Sequence, residues 1–215
     1  MSSAPAVEVV VVHADAHCIV VGKPSGLLAV PGRGEAGRDC VSERVRSEYA
    51  DALIVHRLDM ATSGLMLLAR GADAQRMLSI AFARREVHKR YVAVVDGQLD
   101  TREGEIDLPL GADWPNRPRQ QVDTLHGRPS LTRYRVIDVD AVRNTTRLEL
   151  EPVTGRAHQL RVHLLALGHA ILGDALYGSA EVQAAAPRLL LHASSLRFPH
   201  PASGEPMSFD SPPPF

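Results

Sequence analysis

Cysteine is scarce in this 215-residue sequence: only Cys18 and Cys40 occur, and they have no C-x-x-C spacing. That excludes a disulfide scaffold or a zinc ribbon and fits two free thiols in a reducing compartment. No apolar run nears the roughly eighteen residues of a membrane span, so no membrane partner is expected. Met1-Ser2-Ser3-Ala4-Pro5 lacks a basic flank, so a cytoplasmic location is expected rather than secretion. There is no G-x-x-x-x-G-K-[ST] loop and no G-x-G-x-x-G turn, hence no support for a nucleotide cofactor. H-E-x-x-H is also missing. His158 and His163 stand about 140° apart on a helix and His13 and His17 fall in a turn, so no metal is expected.

Charge of one sign is lacking too, since the formal net charge is −1. The distribution is uneven, however. Arg84, Arg85, His88, Lys89 and Arg90 cluster, and Arg117, Arg119, Arg128, Arg133 and Arg135 face a single acid, Asp123, between Trp114 and Arg135. A near-neutral chain with such clusters can present a basic face to phosphates, although solvated surface arginines are the simpler reading of each cluster.

What is present reads as short strands with few helices. Strands are predicted over Val7–Val12, Cys18–Gly22, Gly64–Ala69, Tyr91–Val95, Ile106–Leu110, Leu131–Val139, Thr146–Leu150, Leu189–His192 and Leu196–Phe198. Helices are predicted from an Asp39 cap to about Tyr49, over Asp73–Arg85, and from Arg156 to Leu167 with Gly168 as its stop. The proline-rich tail from Pro199 to Phe215 is expected to run over the surface. Strands do not alternate regularly with helices, which points to an α+β fold: a mixed, largely antiparallel sheet with flanking helices in one domain over 1–215.

Two segments could carry chemistry. In Val55-His56-Arg57-Leu58-Asp59-Met60-Ala61-Thr62-Ser63-Gly64, polar groups crowd the start of an apolar strand. They are either a site or a turn capped by Asp59 and Thr62. In Thr154-Gly155-Arg156-Ala157-His158-Gln159-Leu160-Arg161, His158 and Arg161 would share a helix face. An arginine beside a carboxylate keeps it ionised; exposed helix charges are the alternative.

Taken in order, several motifs resemble the RluA family of RNA pseudouridine synthases: Lys23-Pro24-Ser25-Gly26-Leu27, the His56–Leu65 run, Lys89-Arg90-Tyr91-Val92-Ala93, Thr154–His163 continuing to Gly173-Asp174 and Tyr177-Gly178, and Leu191-His192-Ala193. The resemblance spans nearly the whole chain. It is strongest to members that lack an N-terminal S4 domain, and Asp113-Trp114-Pro115-Asn116-Arg117-Pro118 shares in it. Ala170 departs from the proline usual there.

The resemblance implies the pseudouridine synthase catalytic fold and an isomerase that needs no cofactor. It implies Asp59 as the essential carboxylate, Arg161 as its partner and Tyr91 against the uracil. Arg57 would fill the space of an extruded uridine, and His56, Thr62, Arg156, His158, Gln159, Arg117 and Arg119 would contact RNA. The implied substrates are uridine 32 of a tRNA anticodon stem-loop and uridine 746 of a 23S rRNA stem-loop, acted on by a monomer. The alternatives are a different single RNA target, a catalytically silent RNA-binding module, or a hydrolase pairing Asp59 with another acid such as Asp51.

Overall fold

The structure, a computed structural model, describes residues 8–32 and 34–215. Along the chain run β1 (Val10–Ala14), β2 (Cys18–Lys23), α1 (Val41–Glu48), β3 (Ala52–Ile54), β4 (Ser63–Arg70), α2 (Gly71–Ala83) and β5 (His88–Asp96). Then come β6 (Glu103–Asp107), β7 (Leu110–Ala112), β8 (Gln120–Val122), β9 (Leu131–Asp140), β10 (Thr145–Pro152), α3 (Gln159–Ala166), α4 (Ala180–Ala184), β11 (Leu191–Pro199) and β12 (Pro206–Asp210). The pairings β1–β2, β2–β4, β3–β4, β11–β12, β5–β10, β10–β9, β9–β6 and β7–β8 are all antiparallel. Strands dominate and helices are few, as the α+β reading expects.

The chain forms two compact units. The first takes the chain as far as His88 and again from Ala193 to Pro213; the second takes Lys89 to His192 with Pro214 and Phe215.

In the first unit the strand order is β1-β2-β4-β11, with β3 against β4 and β12 against β11. Seven of the eight residues of β4 are buried, which is why it reads as an unbroken apolar run. Leu65, Leu67 and Ala69 alternate along β4 to join Cys18 and Val20 of β2, Leu78 and Ala81 of α2, and Leu196 and Phe198 of β11 in one core. The first residues of the Val7–Val12 prediction lie partly outside the described residues, and β1 is shifted to Val10–Ala14. On α2, Ala74, Leu78 and Ala81 face the core, while Met77 is 44% exposed. Asp39 does not cap α1. Its carboxylate is taken by Arg44 at 2.7 Å, and Cys40 holds the N-cap place. The tail also differs from expectation. Pro206–Asp210 pairs with β11, and Met207 and Phe209 pack on the core, a short alternation that the surrounding prolines mask.

In the second unit β5, β10, β9 and β6 lie in that order, and β7 and β8 make a separate hairpin. The predicted strand Ile106–Leu110 is split because Pro109, with no N–H to give, falls between β6 and β7. α3 starts at Gln159, three residues later than predicted, because His158 is left-handed (φ 53°, ψ 17°). His158 therefore stands outside the helix rather than sharing a face with Arg161.

Candidate active site

The Asp59 segment belongs to the first unit. Thr62 N–H donates to the Asp59 carbonyl at 3.1 Å, so residues 59–62 form a turn that delivers the chain into β4. Three residues of the Lys23-Pro24-Ser25-Gly26 loop clamp that turn. Lys23 Nζ donates to the carbonyls of Pro24, Met60 and Thr62 at 2.8, 2.9 and 2.7 Å. Ser25 Oγ donates to the Ala61 carbonyl at 2.7 Å, and Gly26 N–H to that of Met60 at 2.9 Å. Lys23 is 2% exposed, and a buried ammonium is tolerable only with its donors used in this way.

Gly64 opens β4 at φ +112°, and a Cβ there would collide with the Ala193 backbone. Glycine alone lets the strand following the turn lie so close to β11. Within this frame Asp59 is half-buried, Leu58 and Thr62 are buried, and Arg57 is exposed. His56 Nε2 accepts the Leu67 amide at 2.9 Å and its ring packs on Phe82 at 4.9 Å, so that nitrogen serves the fold.

Tyr91 and Arg161 belong to the second unit. Tyr91 lies on β5 opposite Leu150 of β10 and is 9% exposed. Arg161 is gripped by Asp174: Nε to Oδ2 at 2.8 Å and Nη2 to Oδ1 at 2.6 Å. The same Asp174 Oδ1 accepts the amides of Leu176 and Tyr177 at 2.9 and 3.1 Å. Such a bidentate fork sets the guanidinium plane as well as its charge. Arg161 also lies under the Tyr177 ring at 4.9 Å. The Tyr177 hydroxyl accepts the Gln120 amide and shares a hydrogen bond with His158 Nδ1, each at 2.7 Å.

Gln159, expected to touch RNA, is 4% exposed with both ends of its amide engaged. Its oxygen accepts from Thr154 Oγ1 and the Arg156 amide, and its nitrogen donates to the Leu131 carbonyl and Thr132 Oγ1. Thr132 passes the chain to His163 Nδ1, whose Nε2–H donates to the Leu108 carbonyl at 3.0 Å. Burial pushes His163 below its ordinary range, so it stays neutral and fixes this network. Arg156 is exposed. Lys89, two residues before Tyr91, is also pushed down by burial.

The structure thus brings Arg161, His158, Tyr177 and Arg119 together within the second unit and sets Asp59, Thr62 and Lys23 together within the first. Reading the residues in order assigned no role to Lys23 or Asp174. Their only signal was membership of the quoted motifs, because each acts through partners far away in sequence.

Among the described residues one group has metal-ligand chemistry: His13, Asp15 and Cys18. Its hydrogen bonds are already made. Asp15 Oδ1 accepts the His17 and Cys18 amides at 2.7 and 2.8 Å, and Oδ2 accepts from His13 Nε2 at 2.8 Å. His200 Nε2 stands 3.3 Å from the same oxygen.

Residues 17–166 match the family model for RNA pseudouridylate synthase. The chain belongs to that family. It is an RNA pseudouridine synthase, an isomerase acting on RNA uridine. Among similar proteins, the dual-specificity RNA pseudouridine synthase RluA of Escherichia coli strain K12 is 53% identical over 203 residues, covering 94% of this chain and 92% of the relative. The protein of the same description from Pasteurella multocida strain Pm70 is 49% identical over 205 residues, covering 95% and 93%. The structure of human RNA pseudouridylate synthase domain containing 1 covers 100% of this chain and 87% of its own, with a TM-score of 0.82 at 28% identity. Among the described residues no helix is long and apolar enough to cross a membrane.

Proposed function

We propose that this synthase has dual specificity, isomerising uridine 32 in the tRNA anticodon loop and uridine 746 in 23S rRNA, with Asp59 as the essential carboxylate. The observation that carries this reading is the 53% identity over 94% of the chain to a relative described as dual-specificity. The reaction breaks the uracil N1–C1′ bond, turns the base, joins C5 to C1′, moves the C5 proton to solvent and protonates N1. It is redox-neutral.

Asp59 acts at the ribose, either at C1′ or on the C2′ proton, and both roles need it ionised and held still. The Lys23 clamp on Met60 and Thr62, directly after Asp59, supports that role by fixing the turn that carries it. Arg161 supplies the positive charge that favours an ionised Asp59, and the Asp174 fork fixes its plane. Tyr91 packs against the uracil. Arg57, exposed two residues before Asp59, enters the stack left by the flipped base, and Arg117, Arg119 and Arg156 meet phosphates. A monomer in the cytoplasm, without cofactor, completes the reading.

The test is pseudouridine mapping of total RNA from cells with and without the gene. Both sites should lose their signal without it and regain it with the wild-type gene but not with Asp59→Ala. Retention of either signal in the deleted strain removes that site from the assignment, and turnover by Asp59→Ala removes the residue.

A further inference from the structure

The tip of the β7–β8 hairpin holds a group that the chemistry above leaves unused. Trp114 is 68% exposed, although an indole is among the largest apolar surfaces a chain can carry. The Arg117 guanidinium lies over one face of it, 3.6 Å from the ring centre. The turn beneath is tied at every step. Asp113 N–H donates to the Arg119 carbonyl at 3.0 Å, Asn116 N–H to Asp113 at 3.1 Å, and Arg119 N–H to Asn116 at 3.0 Å. Asn116 Nδ2 bonds the Asp113 carboxylate at 3.0 Å. This exposed indole is therefore presented by a braced turn, with a cation on one side and solvent on the other.

A second cation stands on the same hairpin. Among the described residues, Arg119 Nε is a buried side-chain donor with no hydrogen-bond partner. Its guanidinium also lies over Tyr177, 5.3 Å from the ring centre. Tyr177 in turn packs on Arg161 and accepts the neighbouring Gln120 amide. The hairpin tip is thus connected within this unit to the arginine assigned to catalysis.

We propose that Trp114 and Arg117 form a stacking site for one unpaired nucleobase flanking the target uridine, with the Arg119 guanidinium on the same hairpin adding positive charge toward that nucleotide's phosphate. Every base has a π-face, so the site selects for an unstacked nucleotide rather than for a sequence. Arg117 adds charge where the base and its phosphate arrive together. The site rests on the RNA-modifying activity but not on which uridine is modified.

Trp114 is the single tryptophan of the chain, so intrinsic fluorescence reports on it alone. Titrating the intact protein with unfractionated tRNA should quench the emission saturably, and a blunt RNA duplex of equal phosphate content should not. With whichever RNA the enzyme turns over, Trp114→Ala should raise KM about tenfold with kcat nearly unchanged, and Trp114→Phe should recover most of that loss. Absence of quenching, equal quenching by the duplex, or an unchanged KM in Trp114→Ala overturns the proposal. So does quenching that follows protein concentration without RNA, which would mark a contact between two copies. Loss of modification at uridine 32 or 746 bears on the RNA assignment and leaves these readouts intact.

Discussion

Arg161 and Asp174 form a two-pronged ion pair, with contacts at 2.8 and 2.6 Å and side-chain exposures of 4% and 1%. Thirteen residues separate them in sequence. A pair so far from water is sensitive to loss of one partner, because the remaining charge stays buried. Asp174→Ala should cost about 3–5 kcal/mol of stability, read by denaturant unfolding. Asp174→Asn keeps the shape and one acceptor oxygen but loses the fork. It should fold, and it should lose activity mainly in kcat because the Arg161 plane is no longer set. A normal kcat in a folded Asp174→Asn would separate this pair from catalysis.

Lys23 links the loop at residues 23–26 to the turn that carries Asp59. Lys23→Met removes three hydrogen bonds and takes the Lys23 donor from the Pro24 and Thr62 carbonyls, while the Met60 carbonyl keeps the Gly26 amide. Each orphaned buried acceptor costs about 1–3 kcal/mol. Lower thermal stability and lower kcat should appear together. Lys23→Arg should not restore them, since a planar fork cannot aim its donors as one tetrahedral ammonium does.

At the β1–β2 turn, two groups set opposite pH limits. Burial raises the Asp15 carboxyl, but hydrogen bonds from His13, the His17 and Cys18 amides and the Cys18 thiol outweigh it and hold it well below the usual carboxylate range. A folded-state value below the unfolded one gives stability that is present above about pH 4 and lost on acidification. Asp15→Asn should therefore lose stability at neutral pH and show a shallower acid dependence. Burial first, then the Asp15 charge and hydrogen bond, pushes Cys18 up to about 12 from its ordinary 9.0. A raised value gives stability that is full below pH 9.0 and lost as pH climbs toward 12. Cys18→Ala should flatten that alkaline slope, and native Cys18 should react with iodoacetamide far more slowly than in the unfolded chain.

Activity should be unchanged by prolonged EDTA treatment. The His13–Asp15–Cys18 atoms are engaged with one another, and the uridine rearrangement needs neither an oxidant nor an activated water. A loss of turnover reversed by zinc would assign an ion to that group.

Element types were largely legible in the sequence because they follow local pattern: the apolar run that became β4, the spaced apolar face of α2 and the alternation along β10. Asp59, Tyr91 and Arg161 were singled out as site candidates only through ordered motifs, since spacing alone read Asp59 as a turn residue. It is in fact in a turn, with its carbonyl bonded to Thr62. Errors fell where a side-chain partner, a packed core or a local backbone turn, rather than the apolar pattern, decided the outcome. Arg44 drew Asp39 away from the α1 cap, the unit-one core captured Met207 and Phe209 from a proline-rich tail, and the left-handed His158 shortened α3.

By itself, then, the sequence determined the fold class and the family, because these reside in patterns and motifs that are local or ordered along the chain. Only the tertiary structure decided what holds the functional side chains. The Lys23 clamp spans 39 residues to Thr62, and the Gln159–Thr132–His163 network draws together residues up to 31 apart. Buried polar groups must find their partners in space, and burial determines which of those partners are available.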